Sequence, residues 1–209
     1  AGWYYSVFGG VNLQDDTRGF QSTPPSTFTS YDIDAKTGFV MGAAVGLKLD
    51  EAITGLRLEG EASYRENNLG GRFSTGSTFF GSFTGTHDGN VRTFALMANA
   101  WYDIDVGMGF TPYLGGGVGW GRSNVDGFLR QSAPGTGVIR YDFDESGFVW
   151  QAGAGVKYPI ADGVTLGLEY RYFRGPEIDN NVFLGKNALP VAFENDNHAV
   201  QLNLAFDIN

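Results

Sequence analysis

The sequence contains no cysteine, which excludes a disulfide framework and any thiolate metal site. Lysine is nearly missing too, with only four residues, Lys36, Lys48, Lys157 and Lys186. The net charge is −9, so there is no basic footprint for a phosphate backbone and nucleic acid is excluded as a partner. No apolar run approaches the roughly 18 residues that a membrane helix needs. Histidine occurs twice, His87 and His198, which leaves little material for imidazole catalysis or a histidine metal centre. What is abundant is glycine, 32 of 209 residues, and aromatic residues at 15%. That balance is poor for helices and natural for strands and tight turns. No linker-like stretch divides the chain, so one domain over 1–209 is expected. Ala1-Gly2 stands directly before a strand-like run, as a processed N-terminus would.

Eight segments alternate apolar with small or polar residues, the period of a strand. One face of the first carries Trp3, Tyr5, Val7, Gly9, Val11 and Leu13, and of the second Phe39, Met41, Ala43, Val45, Leu47 and Leu49. The third has Leu56 to Tyr64 on alternate positions, the fourth Phe94 to Tyr102, the fifth Pro112 to Trp120. The sixth runs Phe148 to Tyr158, the seventh Val164 to Tyr172, the eighth Val200 to Ile208. The opposite face holds Lys48, Arg57, Glu59, Glu61, Arg65, Asn99, Gln151, Lys157, Glu169, Arg171, Gln201, Asn203 and Asp207, with many glycines between them. Short connections at 50–54, 103–110 and 159–163 alternate with long polar ones at 15–36, 66–91, 122–146 and 174–197.

Short–long alternation over eight strands is the pattern of an all-β, antiparallel up-and-down transmembrane barrel with four long extracellular loops and both termini periplasmic. A soluble lipocalin-like barrel is the rival, and three features weigh against it. The polar face carries only nine charged residues, too few for a water-facing exterior. An eight-stranded interior is barely wide enough for side chains, so the large apolar groups must lie outside. Aromatic residues also cluster at strand ends: Trp3, Tyr5, Tyr102, Tyr158 and Phe206 near the short turns, and Phe39, Tyr64, Phe94, Trp120, Phe148 and Tyr172 near the long loops. Two such girdles belong at the two lipid–water interfaces.

The chain resembles the small bacterial outer-membrane barrels of the opacity-protein and outer-membrane-protein-A transmembrane type, the "porin family" surface antigens. The resemblance rests on Trp3-Tyr4-Tyr5, on Pro112-Tyr113-Leu114-Gly115-Gly116-Gly117-Val118-Gly119, and on Leu168-Glu169-Tyr170-Arg171-Tyr172. It implies the Gram-negative outer membrane, contact with lipid and lipopolysaccharide, and insertion by the barrel-assembly machinery. Members usually end in a terminal Phe that this machinery reads, whereas this chain ends Phe206-Asp207-Ile208-Asn209.

The inward charges, Lys48, Arg57, Glu59, Glu61, Arg65, Lys157, Glu169 and Arg171, are expected to form a salt-bridged network that largely plugs the lumen. The alternative is a narrow channel or portal for small molecules, hydrophobic ones included, lined by the same residues. Simple hairpin counting puts Glu59 and Glu61 opposite Gly46 and Ala44, and Glu169 and Arg171 opposite Gly153 and Gln151. Arg171 and one of Arg57 or Arg65 should then bond these glutamates. No catalytic residue, cofactor or metal is expected: the Glu59/Glu61 pair lacks a substrate cleft. A lipid A-modifying enzyme is a distant third reading, because neither His87 nor His198 stands in a His-x-Ser arrangement. Asp142-Phe143-Asp144-Glu145 spaces oxygen ligands as calcium loops do but lacks the full twelve-residue pattern. Apolar loop residues, Phe79, Phe80, Phe83, Phe183 and Phe193, are expected to cap the barrel or offer a surface for self-association or a partner.

Overall fold

In a computed structural model, the structure describes residues 2–15, 17–23, 27–35, 37–77, 81–131, 138–176, 178–184, 187–193 and 195–208. They form twelve strands and, among the described residues, no helix: β1 (Gly2–Gln14), β2 (Thr17–Thr23), β3 (Thr27–Ala35), β4 (Gly38–Lys48), β5 (Leu56–Ser77), β6 (Gly81–Asp103), β7 (Thr111–Gln131), β8 (Val138–Ala161), β9 (Val164–Arg174), β10 (Ile178–Leu184), β11 (Asn187–Phe193) and β12 (Asp196–Ile208).

Eight of them close a ring in the order β5-β4-β1-β12-β9-β8-β7-β6, and β6 returns to β5. Every neighbour is antiparallel, and the first and last strands join from Trp3↔Ile208 to Gln14↔Asn197. Closure matters because a ring pairs each backbone N–H and C=O within the sheet and leaves no edge for lipid to face. The period of two decides the rest. Val7, Val11, Met41, Val45, Leu96, Leu114, Val118, Leu168, Val200 and Leu202 are all exposed on the outside, while Tyr4, Arg65, Trp101, Glu169 and Arg171 are buried inside. All eleven girdle aromatics lie on that outward parity, with Tyr5 stacked on Phe206 at one rim and Phe39 beside Tyr64 at the other.

Three sequence expectations are corrected. First, the segments 15–36, 66–91, 122–146 and 174–197 are mostly strand rather than loop. Strands β5 to β8 run 22, 23, 21 and 24 residues, against roughly ten needed to cross a membrane. About half of each therefore stands beyond the girdle. The β2–β3 hairpin continues this wall by pairing along β5, from Thr27↔Ser77 to Ala35↔Leu69. Both faces of an emergent strand can be polar, so the apolar alternation that reveals a half-buried strand fades there.

Second, Glu169 and Arg171 face Gly155 and Gly153, two positions from the counted register. Strand β8 continues through Ala161, the hairpin closes on Asp162-Gly163 alone, and an irregularity between Pro159 and Ala161 absorbs the odd residue. Gly163 supplies the positive φ (70°) that so short a turn requires. The other count is as observed: Gly46↔Glu59 and Ala44↔Glu61. Third, Asp103 ends β6 rather than opening a turn, and its carboxylate belongs to the lumen.

Candidate functional site

The lumen is filled in tiers. Nearest the short turns, Lys48 Nζ meets Asp207 Oδ1 at 2.6 Å across the β4–β12 side of the rim. Above it, Arg57 donates from Nε to both oxygens of Asp103 at 3.0 Å, and Lys157 completes that carboxylate's shell. Arg57 Nη1 reaches Glu59 Oε1 at 3.1 Å and Tyr4 Oη at 3.0 Å. Glu59 also accepts from Tyr4 Oη at 2.5 Å and from Trp101 Nε1 at 2.9 Å. These side chains start from β1, β5, β6 and β8 and meet mid-lumen because glycine faces them. A Cβ at Gly46 would collide with the Tyr4 ring, and one at Gly155 would lie 2.7 Å from Tyr113 Cζ.

The next tier centres on Arg171. Its Nε donates to Glu169 Oε1 at 2.5 Å and its Nη1 to Glu61 Oε2 at 2.7 Å. Asn99 and Gln151 donate to the same Glu61 oxygen, at 2.8 and 3.2 Å. Tyr113 Oη donates to Glu169 Oε2 at 2.8 Å and Gln201 Nε2 to Oε1 at 3.0 Å. The Arg171, Glu61 and Glu169 side chains are at most 2% exposed. Burial on that scale is tolerable only because each charge has an opposite charge and further hydrogen bonds.

Arg65 is placed differently. Its guanidinium lies 3.7 Å from the centre of the Phe173 ring and donates from Nη1 to Ser63 Oγ at 2.9 Å, with no carboxylate bonded to it among the described residues. Around it the lumen turns apolar: Ala95, Met97, Val149 and Phe173 form one buried cluster, and Phe8, Val40 and Ala199 another. A final tier is neutral and polar. Asn12 donates to Asn67 Oδ1 at 2.5 Å and to Asn197 Oδ1 at 2.8 Å; Asn195 reaches Thr93 and Ser123 at 3.3 and 3.1 Å.

Of the eight inward charges read from the sequence, seven thus have an ionic partner and Arg65 has an aromatic one. The sequence reading passed over Tyr4, Trp101, Tyr113 and Asp103, although all four sit on the inward parity of their strands. That parity was the available signal.

Outside the lumen, His198 lies on the outer rim, where its Nδ1 is 2.6 Å from Tyr170 Oη and its Nε2 3.4 Å from Asp15 Oδ1. His87 stands in the extended part of β6, where partial burial lowers its pKa. The two do not come together. Asp142 and Asp144 are on extended β8, and Asn124 donates to both at 3.0 Å. Hydrogen bonds from Arg122 and Asn124 hold the Asp144 carboxyl below the usual aspartate range. No group of three or more metal-ligating side chains occurs among the described residues. Phe79 and Phe80 lie outside the described residues, as do the side chains of Phe83, Phe183 and Phe193.

The model of the outer membrane protein beta-barrel domain matches residues 2–206. An uncharacterized protein of Brucella abortus strain 2308 is 28% identical over 197 residues, covering 83% of this chain and 68% of that one. The outer membrane protein PagN of Salmonella typhimurium is 29% identical over 90 residues, 42% of this chain and 36% of its own. Among solved structures, Neisserial surface protein A superposes with a TM-score of 0.56 at 16% identity, covering 99% of this chain and 97% of that one. OprG of Pseudomonas aeruginosa gives 0.51 at 12% identity, with 99% and 96% covered. At those identities the likeness speaks for the eight-stranded fold.

Proposed function

This chain belongs to the outer membrane protein beta-barrel domain family, and from that premise we propose that it is a closed, lipid-anchored scaffold rather than a pore. One observation carries the proposal. The Arg171 cluster draws side chains from β5, β6, β7, β8, β9 and β12, six of the eight ring strands, into one bonded layer across the lumen. Ions would have to break charge-assisted bonds there, and then pass an apolar tier and an asparagine tier, before reaching the far side.

The scaffold is oriented with its short turns and both termini in the periplasm, and with the extended strands standing above the outer leaflet. The emergent wall, bearing Arg92, Arg122, Asp126 and Asp144 on its outer face, meets lipopolysaccharide and surface partners, including further copies of the chain. Insertion uses the barrel-assembly machinery, and the protein performs no catalysis. Two measurements test this reading. A cysteine replacing Thr84 should react with an impermeant maleimide on intact cells, and one replacing Asp162 only after permeabilisation. Proteoliposomes should hold an ion gradient as well as empty vesicles do. Labelling in the reverse order would overturn the orientation, and rapid leakage would overturn the closure.

A further inference from the structure

The turn joining β6 to β7, residues 104–110, is unlike the other two short connections. It reads Ile-Asp-Val-Gly-Met-Gly-Phe, with Ile104, Val106, Met108 and Phe110 all exposed and Met108 the most open at 64%. The turn is nonetheless well formed. Ile104 N donates to Pro112 O at 2.8 Å, Asp105 Oδ1 accepts from Gly107 N at 2.9 Å, and Gly107 and Gly109 take positive φ (67° and 73°). Those two glycines are required, because side-chain-bearing residues are strained there. Its acids are turned away from the tip. Asp103 points into the lumen toward Arg57 and Lys157, and Asp105 folds back on the turn's own amide. The β4–β5 connection exposes one large apolar side chain, Ile53, against four here, and sets it beside Asp50 and Glu51, although Asp50 likewise accepts from its turn's own Gly55 amide at 3.0 Å; the β8–β9 turn presents Asp162.

Four apolar side chains on a fixed knuckle are costly to leave in water and mark an interaction surface. Ile104 and Phe110 continue the outward parity of Tyr102 and Pro112, so the knuckle extends the lipid-facing belt without a polar break. We propose that residues 104–110 insert into the leaflet on the turn side as an interfacial anchor, with Met108 and Phe110 among the acyl chains. The barrel is then seated more deeply on its β6–β7 side than at the acidic turns, which sets its tilt.

The absence of cysteine makes the test specific. Met108→Cys, and separately Phe110→Cys, would carry a polarity-sensitive fluorophore in phosphatidylcholine vesicles, with Asp162→Cys as the reference. Folding of each would first be verified by gel mobility. The anchor predicts blue-shifted emission at 108 and 110, and quenching by brominated acyl chains several-fold stronger than at 162, both independent of protein-to-lipid ratio. Emission matching that at 162 with ready quenching by aqueous iodide would overturn it, placing the knuckle in water. A blue shift that disappears on dilution with lipid would also overturn it, in favour of contact with a second copy.

Discussion

Removing the Glu169 carboxylate by Glu169→Ala is the most informative single perturbation of the lumen. In the wild type this group accepts from Arg171 at 2.5 Å, Tyr113 at 2.8 Å and Gln201 at 3.0 Å. Deleting one partner of a buried ion pair costs roughly 3–5 kcal/mol, because the remaining charge keeps its desolvation penalty. Arg171 would retain Glu61 at 2.7 Å, which argues for the lower end. Tyr113 and Gln201 would also lose an acceptor, though Tyr113 lines the pocket open to the turn side, where water can replace it. The expected loss is therefore about 3 kcal/mol, a little over two decades in the unfolding equilibrium. Glu169→Gln keeps an acceptor for Tyr113 and loses only charge, so its cost should fall between the alanine variant and wild type. Reversible urea unfolding in lipid vesicles, followed by tryptophan fluorescence, reads both. A Glu169→Ala protein within about 1 kcal/mol of wild type would refute the argument, since removing one of the two carboxylates that hold a buried guanidinium cannot be that cheap.

Other perturbations probe other surfaces. Ala98 faces outward on β6, midway between the girdle residues Phe94 and Tyr102, and Ala98→Arg should cost roughly 2–4 kcal/mol in the same unfolding assay. Thr165→Arg, lining the turn-side pocket, should cost under about 1 kcal/mol because water reaches it; equal costs would reverse the two faces. Gly155→Ala would set a methyl 2.6 Å from Leu168 O and against Tyr113, so a loss of roughly 1–3 kcal/mol is expected, and none would mean that the ring packs elsewhere. The Asp144 carboxyl is depressed when folded, so its stabilising contribution is present above the ordinary aspartate range and disappears as pH falls through the lowered value. Carboxyl-carbon NMR titration should place that midpoint below the ordinary aspartate range, and Arg122→Gln should raise it.

The parts of this fold that were legible in the sequence are those governed by local alternation. Within the ring, inside and outside follow the period of two, because lipid on one side and a packed lumen on the other impose opposite chemistry on adjacent residues. Beyond Tyr64 and Phe94 that contrast ends, and the strands continuing to Ser77 and back from Gly81 read as Gly-, Ser- and Thr-rich loop. Register is a matter of turn detail: one irregular residue between Pro159 and Ala161 moved Arg171 opposite Gly153. The identity of each ion's partner was the least legible. Arg57 and Arg65 each stand four residues from Glu61 on the same face of β5, yet Arg57 meets Glu59 and Asp103 while Arg65 settles on Phe173. That choice depends on which rings and carboxylates arrive from distant strands, as Asp103 does for Arg57 and Phe173 for Arg65.

Closure of the lumen is the central claim, and single-channel recording tests it most directly. Purified wild-type protein in a planar bilayer should show only rare, brief openings, whereas Glu169→Ala, with its central layer broken, should open more often. Frequent, long-lived openings of the wild type, unchanged by Glu169→Ala, would contradict the account and make the barrel a channel.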